Sequence, residues 1–495
     1  TSFSDAERSN VLELATALKK RQSQKEDLSL LPQVTRADIP PSKVFPVLAG
    51  KALKSKALEA QAASGIKLTT ARAGTNGITF HQVVSPLPAL TTPLLGLLPI
   101  YSQLVTEVGS ADRNYLETQQ AQHSITGGIS AFSSFRSDLN DCEDGRGYLT
   151  LSSRTLNPKA VEMARLVKET VNEPRFDEVG RIKELVQQLS IRRANSVASN
   201  GHQYAMSAAA ASLRPLANIS DFLSGIPAIM RLKKLARDIN DGQRLESLAA
   251  SMQQLHDQLR GNSPELLVIS EAAFLESYAE AISALWGETV QTEESRFDVS
   301  SIDNPGDRAF VVTTQVNYCA TVYPTIPESN EDAAALAVLA GVLRNNFLHS
   351  EVREKGGAYG GGAGHDSATG VFRFYSYRDP RLMETFEAFS RSIDWALNND
   401  ITDVMLEEAV LGIISSVDAP GSPAGEIRQA FHHGLFGRSA EHREATRGRY
   451  LDVRQHDLRR VIDTYLHKTP SRAVVTSENR LGEVDNQFEQ VFVNE

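Results

Sequence analysis

Hydrophobic positions along the chain change period several times, and the changes mark out elements. Ser4-Asp5-Ala6-Glu7 has the form of a capping box, and Val11, Leu14, Ala15 and Leu18 follow at helical spacing, which predicts an amphipathic helix. A polar break comes next, then Leu30-Leu31-Pro32 and Ile39-Pro40-Pro41, where proline forbids continued helix. Residues 1–64 therefore read as a helical linker or hinge segment that packs against something else, not as a domain.

Two later stretches read alike. The first opens with a strand over 77–84, followed by a helical run over 94–108 and the turn Thr126-Gly127-Gly128. Strand patterns then predict strands over 129–135 and 148–152. Asn157-Pro158 starts a series of helices, and Leu266–Glu271 closes the unit as a short apolar strand. The second opens with one long strand over 310–323 and a helix over 332–347 with Leu336, Leu339, Leu343 and Phe347 on one face. Lys355-Gly356-Gly357, a strand over 371–377, several helices and Ala473–Glu478 follow in the same order. A period above 200 residues is too long for a solenoid, so the pattern predicts a duplicated α+β domain, over 65–290 and 291–495.

Composition narrows the function classes. A chain of 495 residues exceeds what one core supports. No apolar run approaches the roughly 18 residues that span a bilayer, so neither a membrane nor a transmembrane role is expected. The net charge of −10 disfavours nucleic acid as a partner. Cys142 and Cys319 are far apart with no C-x-x-C, which suits a soluble protein of a reducing, intracellular compartment (bacterial cytoplasm or organelle matrix). The chain starts at Thr1 with no signal-like stretch, so it is expected to be a piece or processed product of something longer.

The segment richest in chemistry is Arg353-Glu354-Lys355-Gly356-Gly357-Ala358-Tyr359-Gly360. Six glycines between Gly356 and Gly364 let the backbone turn sharply and lie close to another chain. Arg353 offers a fork of donors suited to carbonyls or carboxylates, and Tyr359 a phenolic donor. A phosphate-binding loop would need a Gly-Lys-Ser/Thr ending between a strand and a helix, which this segment lacks. A purely structural glycine turn is the plain alternative.

Arg353–Gly360 resembles the C-terminal-half signature of pitrilysin/insulinase-type zinc metallopeptidases, in the presequence protease and falcilysin branch. Leu30-Leu31-Pro32 through Asp38-Ile39-Pro40 is similar to that branch's linker between halves. Thr126–Ser130, Ala198–His202 with Ala205-Met206, and Val316-Asn317-Tyr318 are similar to its third and fourth domains. The resemblance implies two homologous α/β-roll domains, each a mixed antiparallel sheet with helices on one face, following the linker segment. It also implies a partner, a zinc-bearing N-terminal half, and unstructured peptides as substrates. Tyr359 would then be catalytic, donating to the scissile carbonyl. Arg353, Gly356, Gly357 and Asn317 would join it in binding peptide.

No H-x-x-E-H occurs in the chain. By the resemblance, Gly96–Gln103 corresponds to the zinc helix with its ligands lost. Pro99 and Gln103 stand for the histidines and Ser102 for the glutamate, so no metal is expected here and zinc is expected in the other half. His432, His433, His442 and Glu444 read as a solvated helix surface, and His202 as a structural histidine. His349 and His365 flank the Arg353–Tyr359 segment. The competing reading is a proteolytically silent scaffold subunit of the same family; a lone peptide-binding module is the third.

Overall fold

The computed structural model describes residues 4–23, 34–54, 64–292, 295–299, 306–484 and 488–493; Leu30-Leu31-Pro32 lies outside them. Residues 1–40 and 41–495 are separate units. In the first, the capping box forms as expected. The Ser4 amide and hydroxyl both donate to Glu7 Oε2 at 2.8 Å, and the helix Asp5–Ser23 follows with Val11, Leu14 and Leu18 exposed. Beyond Pro40 the expected linker lies against the body of residues 41–495. Phe45 and Leu53 are buried, and the Lys43 amide donates to the Glu444 carboxylate at 3.2 Å.

Two six-stranded sheets organise the second unit. The first contains Lys51–Ala52 (β1), Lys67–Arg72 (β2), Ile78–Pro86 (β3), Ile129–Ser137 (β4), Gly145–Leu156 (β5) and Glu265–Ser270 (β6), ordered β1-β2-β6-β3-β5-β4. The second contains Arg308–Val311 (β7), Tyr318–Pro324 (β8), Gly360–Asp366 (β9), Val371–Tyr377 (β10), Ser471–Thr476 (β11) and Glu489–Phe492 (β12), ordered β12-β7-β11-β8-β10-β9. Five strands correspond one to one, with β2–β6 and β7–β11 parallel and the other shared pairs antiparallel. The duplication read from element order is therefore present in the topology. Only the sixth strands differ, β1 coming from the expected linker and β12 from the far end of the chain.

Two elements depart from the sequence reading. The single strand expected over 310–323 is two, β7 and β8, separated in the sheet by β11. Polar residues between them turn the chain, with the Thr314 hydroxyl accepting from the Val316 amide at 3.2 Å. The glycine run does not remain a loop, because Gly360 onward pairs residue by residue with β10.

Each sheet also has both faces covered. On one face of the first, Val83, Leu151, Leu266 and Val268 pack against helices that include Thr92–Leu104, Ala160–Asn172 and Ala272–Trp286. Its other face, through Val84, Tyr148, Leu267 and Ile269, receives helix Pro423–Leu435 from the second repeat. The second sheet has Phe374 stacked on Phe389 of helix Met383–Asn398. Its opposite face receives the end of helix Val179–Ala211 from the first repeat, whose Ala205, Ala208 and Ala209 lie in one cluster with Phe310, Tyr318 and Ala320. This helix kinks at Asn200, and a Cβ on Gly201 would stand 2.3 Å from the Tyr318 ring, so only glycine allows the approach. A buried ion pair between Arg308 and Asp221 (2.9 Å) locks the same crossing. The expectation of helices on one face holds within each repeat; the exchange of a helix between repeats fills the other.

Candidate functional site

The glycine segment leaves a helix of unusual width. Helix Asp332–Leu343 continues as a π-helix over Arg344–Glu354, ending with the Lys355 amide on the Ser350 carbonyl at 2.9 Å. A Cβ on Gly356 would stand 2.3 Å from the Val352 carbonyl oxygen, and Gly357 has φ +81°, so neither position accepts a side chain without strain. The amides of Gly357 and Ala358 close the turn on the Arg353 and Val352 carbonyls at 2.9 and 3.1 Å. The Tyr359 amide then reaches the Arg378 carbonyl at 3.3 Å and begins β9.

A buried network holds this turn from behind. The Arg381 guanidinium donates to the Lys355 carbonyl at 2.7 Å, while its amide donates to Asp379 Oδ1 at 2.9 Å. The other Asp379 oxygen accepts from Thr385 Oγ1 at 2.7 Å. Asn317 is 2 % exposed, and its side chain is fully engaged with the Asp379 and Arg381 carbonyls (3.2 and 2.9 Å) and the Thr476 hydroxyl (2.6 Å). The Asn317 side chain thus positions the 379–381 bend behind the turn.

On the front, Arg353 and Tyr359 stand in solvent, Tyr359 at 70 % exposure, and neither side chain bonds to another described polar group. The Tyr359 ring meets Tyr377 edge-on at 5.8 Å. Tyr377 also touches Tyr318 at 5.8 Å and His202 at 4.8 Å, with the Arg378 guanidinium 5.5 Å from its centre. Partial burial lowers the His202 pKa, which keeps its ring neutral near pH 7. Sequence reasoning missed this aromatic platform. Its signal was the alternation Tyr375-Ser376-Tyr377 in β10, which puts both tyrosines on one face.

The remaining histidines go elsewhere. His349 lies 3.6 Å from Glu354, and His365 meets the Thr325 hydroxyl at 3.1 Å. The solvated surface expected for His432 and His433 is overturned. Their helix packs on the first sheet, His432 bonds to Gln82 at 3.0 Å, and burial with nearby arginines lowers the His433 pKa to about 4. His442 faces Glu328 at 3.2 Å.

Helix Thr92–Leu104 does not fit zinc. Pro99 offers no ligand atom, Ser102 is buried and donates to the Leu98 carbonyl at 3.0 Å, and Gln103 points outward.

Two family profiles match the chain. One describes the region associated with peptidases of family M16, subfamily C, and matches residues 1–235; the other is "PreP C-terminal domain", over residues 307–478. The chain belongs to the M16 peptidase family, in its presequence protease branch. It is 29 % identical over 481 residues to the mitochondrial presequence protease of Yarrowia lipolytica, covering 94 % of this chain and 46 % of that one. Against the Xenopus tropicalis protein of the same name it is 28 % identical over 509 residues, covering 97 % and 48 %. The chain thus spans about half the length of the curated relatives it matches. In fold it is similar to the crystal structure of a peptidase M16 inactive domain from Pseudomonas fluorescens, with TM-score 0.59, 15 % identity and coverage of 87 % and 98 %. No helix among the described residues is long and apolar enough to cross a membrane.

Proposed function

We propose that this chain is the non-zinc, C-terminal half of a presequence-protease-like metalloendopeptidase that degrades short unstructured peptides, and that it is inactive alone. The observation that carries the reading is the pair Arg353 and Tyr359, set six residues apart on a clamped turn with their donors unused. In this reading the repeats 65–290 and 291–495 are the third and fourth domains of the whole enzyme.

The Tyr359 hydroxyl donates a hydrogen bond to the scissile carbonyl as negative charge develops on its oxygen, and it is held ready for this by the Tyr377 ring. Arg353 donates to a neighbouring backbone carbonyl of the peptide, and the backbone at Gly356 and Gly357 allows the peptide close approach. A zinc ion held by the N-terminal half would supply the activation of the attacking water. A silent scaffold would have no use for two unengaged donors on a rigid turn, which sets that alternative behind.

The test is cleavage of an unstructured basic peptide by this chain alone, by a separately made zinc-bearing N-terminal half, and by the two mixed. Silence of each alone with cleavage on mixing is the expected result. Cleavage by this chain alone, or no gain on mixing a folded pair that associates, would overturn the proposal.

A further inference from the structure

Beside the helix that has lost its zinc ligands lies a cavity of about 410 Å³. Pro93, Gly96, Leu97 and Ile100 fall on one face of helix Thr92–Leu104, at i, i+3, i+4 and i+7, and line it together with Pro99. Opposite stand Phe222 and the apolar side chains of helix Ile226–Asp238, among them Ile229 and Leu232. Gly96 keeps the space open, since a Cβ there would stand 3.3 Å from the Phe222 ring. This volume lies within the range that ordinary ligand pockets occupy.

Two guanidinium groups break the apolar lining. The Arg231 guanidinium sits over the Phe222 ring, 3.8 Å from its centre, and donates to the Phe222 carbonyl. Arg193 is half-exposed, and its guanidinium makes no hydrogen bond or ion pair with another described residue. An apolar pocket carrying an unneutralised cation is complementary to a ligand with an apolar body and an anionic end. A peptide supplies both parts, an apolar last side chain and a terminal carboxylate, and is the ligand class of the peptidase reading.

We infer that this cavity is a peptide-end subsite, binding the apolar last residue of a peptide while Arg193 takes its terminal carboxylate. The inference deepens the peptidase reading and rests on it for the nature of the ligand.

The experiment measures binding to the whole chain by fluorescence anisotropy, without zinc or the N-terminal half, so its outcome is independent of whether mixing restores cleavage. The probes are an octapeptide ending in leucine with a free carboxylate, the same peptide amidated, the same peptide ending in serine, and dodecanoate as competitor. The free leucine peptide is expected to bind about tenfold or more tightly than the other two peptides, and Arg193→Gln to abolish the preference over the amide. Gly96→Leu fills the cavity and is expected to remove binding of the leucine peptide, with its fold checked by circular dichroism. Should Gly96→Leu not fold, Arg193→Gln on the surface decides. Equal binding of acid and amide, or an unchanged preference in Arg193→Gln, would overturn the inference. So would dodecanoate binding in the cavity with no leucine-peptide binding.

Discussion

The two repeats share a strand order and a glycine turn, yet only one presents free chemistry. In the first, Gly128 has φ +104° and the next residue, Ile129, enters the core. In the second, Gly357 has φ +81°, Ala358 takes the buried place of Ile129, and Tyr359 emerges into solvent where the first repeat has the exposed Ser130. The preceding helices differ in step. Helix Tyr115–Ile125 starts afresh with its own Asn114 cap, whereas the second repeat runs unbroken through a π-helix that delivers Arg353 to the turn. A common scaffold therefore carries two outcomes through the side chain at one exposed position, serine or tyrosine, and a widened helix.

The helix crossings differ as well. The first repeat sends one kinked helix across to the second sheet, fastened by Arg308, which donates to the Ala208 carbonyl of that helix at 3.2 Å and pairs with the buried Asp221 on the next. The second repeat sends the separate helix Pro423–Leu435 back, fastened by the Tyr148 hydroxyl donating to the Leu435 carbonyl at 3.0 Å. A buried charge pair and a neutral hydrogen bond are unequal fasteners, and substitutions can measure by how much.

The largest effect is expected at the first crossing. Asp221→Ala strands the Arg308 guanidinium in the interior and should cost about 3–5 kcal/mol in denaturant unfolding. A loss below about 1 kcal/mol would make the two crossings energetically alike. Next is the turn. In the mixed two-half enzyme, Tyr359→Phe should lower turnover by about 10²–10³ with little change in the Michaelis constant. Thr126→Val at the corresponding turn of the first repeat should leave turnover at the wild-type level, and equal losses at both would sink the contrast.

Gly201→Ala drives a methyl into Tyr318 and should destabilise by about 1–3 kcal/mol. Gly434→Ala on the returning helix meets open space and should be neutral or stabilise by up to about 1 kcal/mol. Paired thermal melts read both, and matching shifts would mean the close approach at Gly201 carries no cost. The smallest effect is expected from Tyr148→Phe, which removes one neutral hydrogen bond and should cost about 1 kcal/mol.

Much of this was legible in the residues themselves. Periodicity and turn signals located the strands around Ile78, Val371 and Val474, the capped first helix and the duplicated order, because these follow from local propensity and patterning. Arg353 and Tyr359 were legible because a glycine turn and its flanking donors are contiguous in sequence. What only the tertiary structure decided were relations between distant segments. Asn317 became a buried brace because the 379–381 bend and Thr476 converge on it from two other segments. His202 became part of the platform because a kink carries it onto Tyr377, and His432 and His433 are half-buried because their helix covers the other repeat's sheet. The cavity beside Gly96 likewise exists only where four helices meet. Short-range pattern encodes which element a residue joins; which face it meets depends on contacts across hundreds of residues, and those are settled only when both sheets bury their second faces.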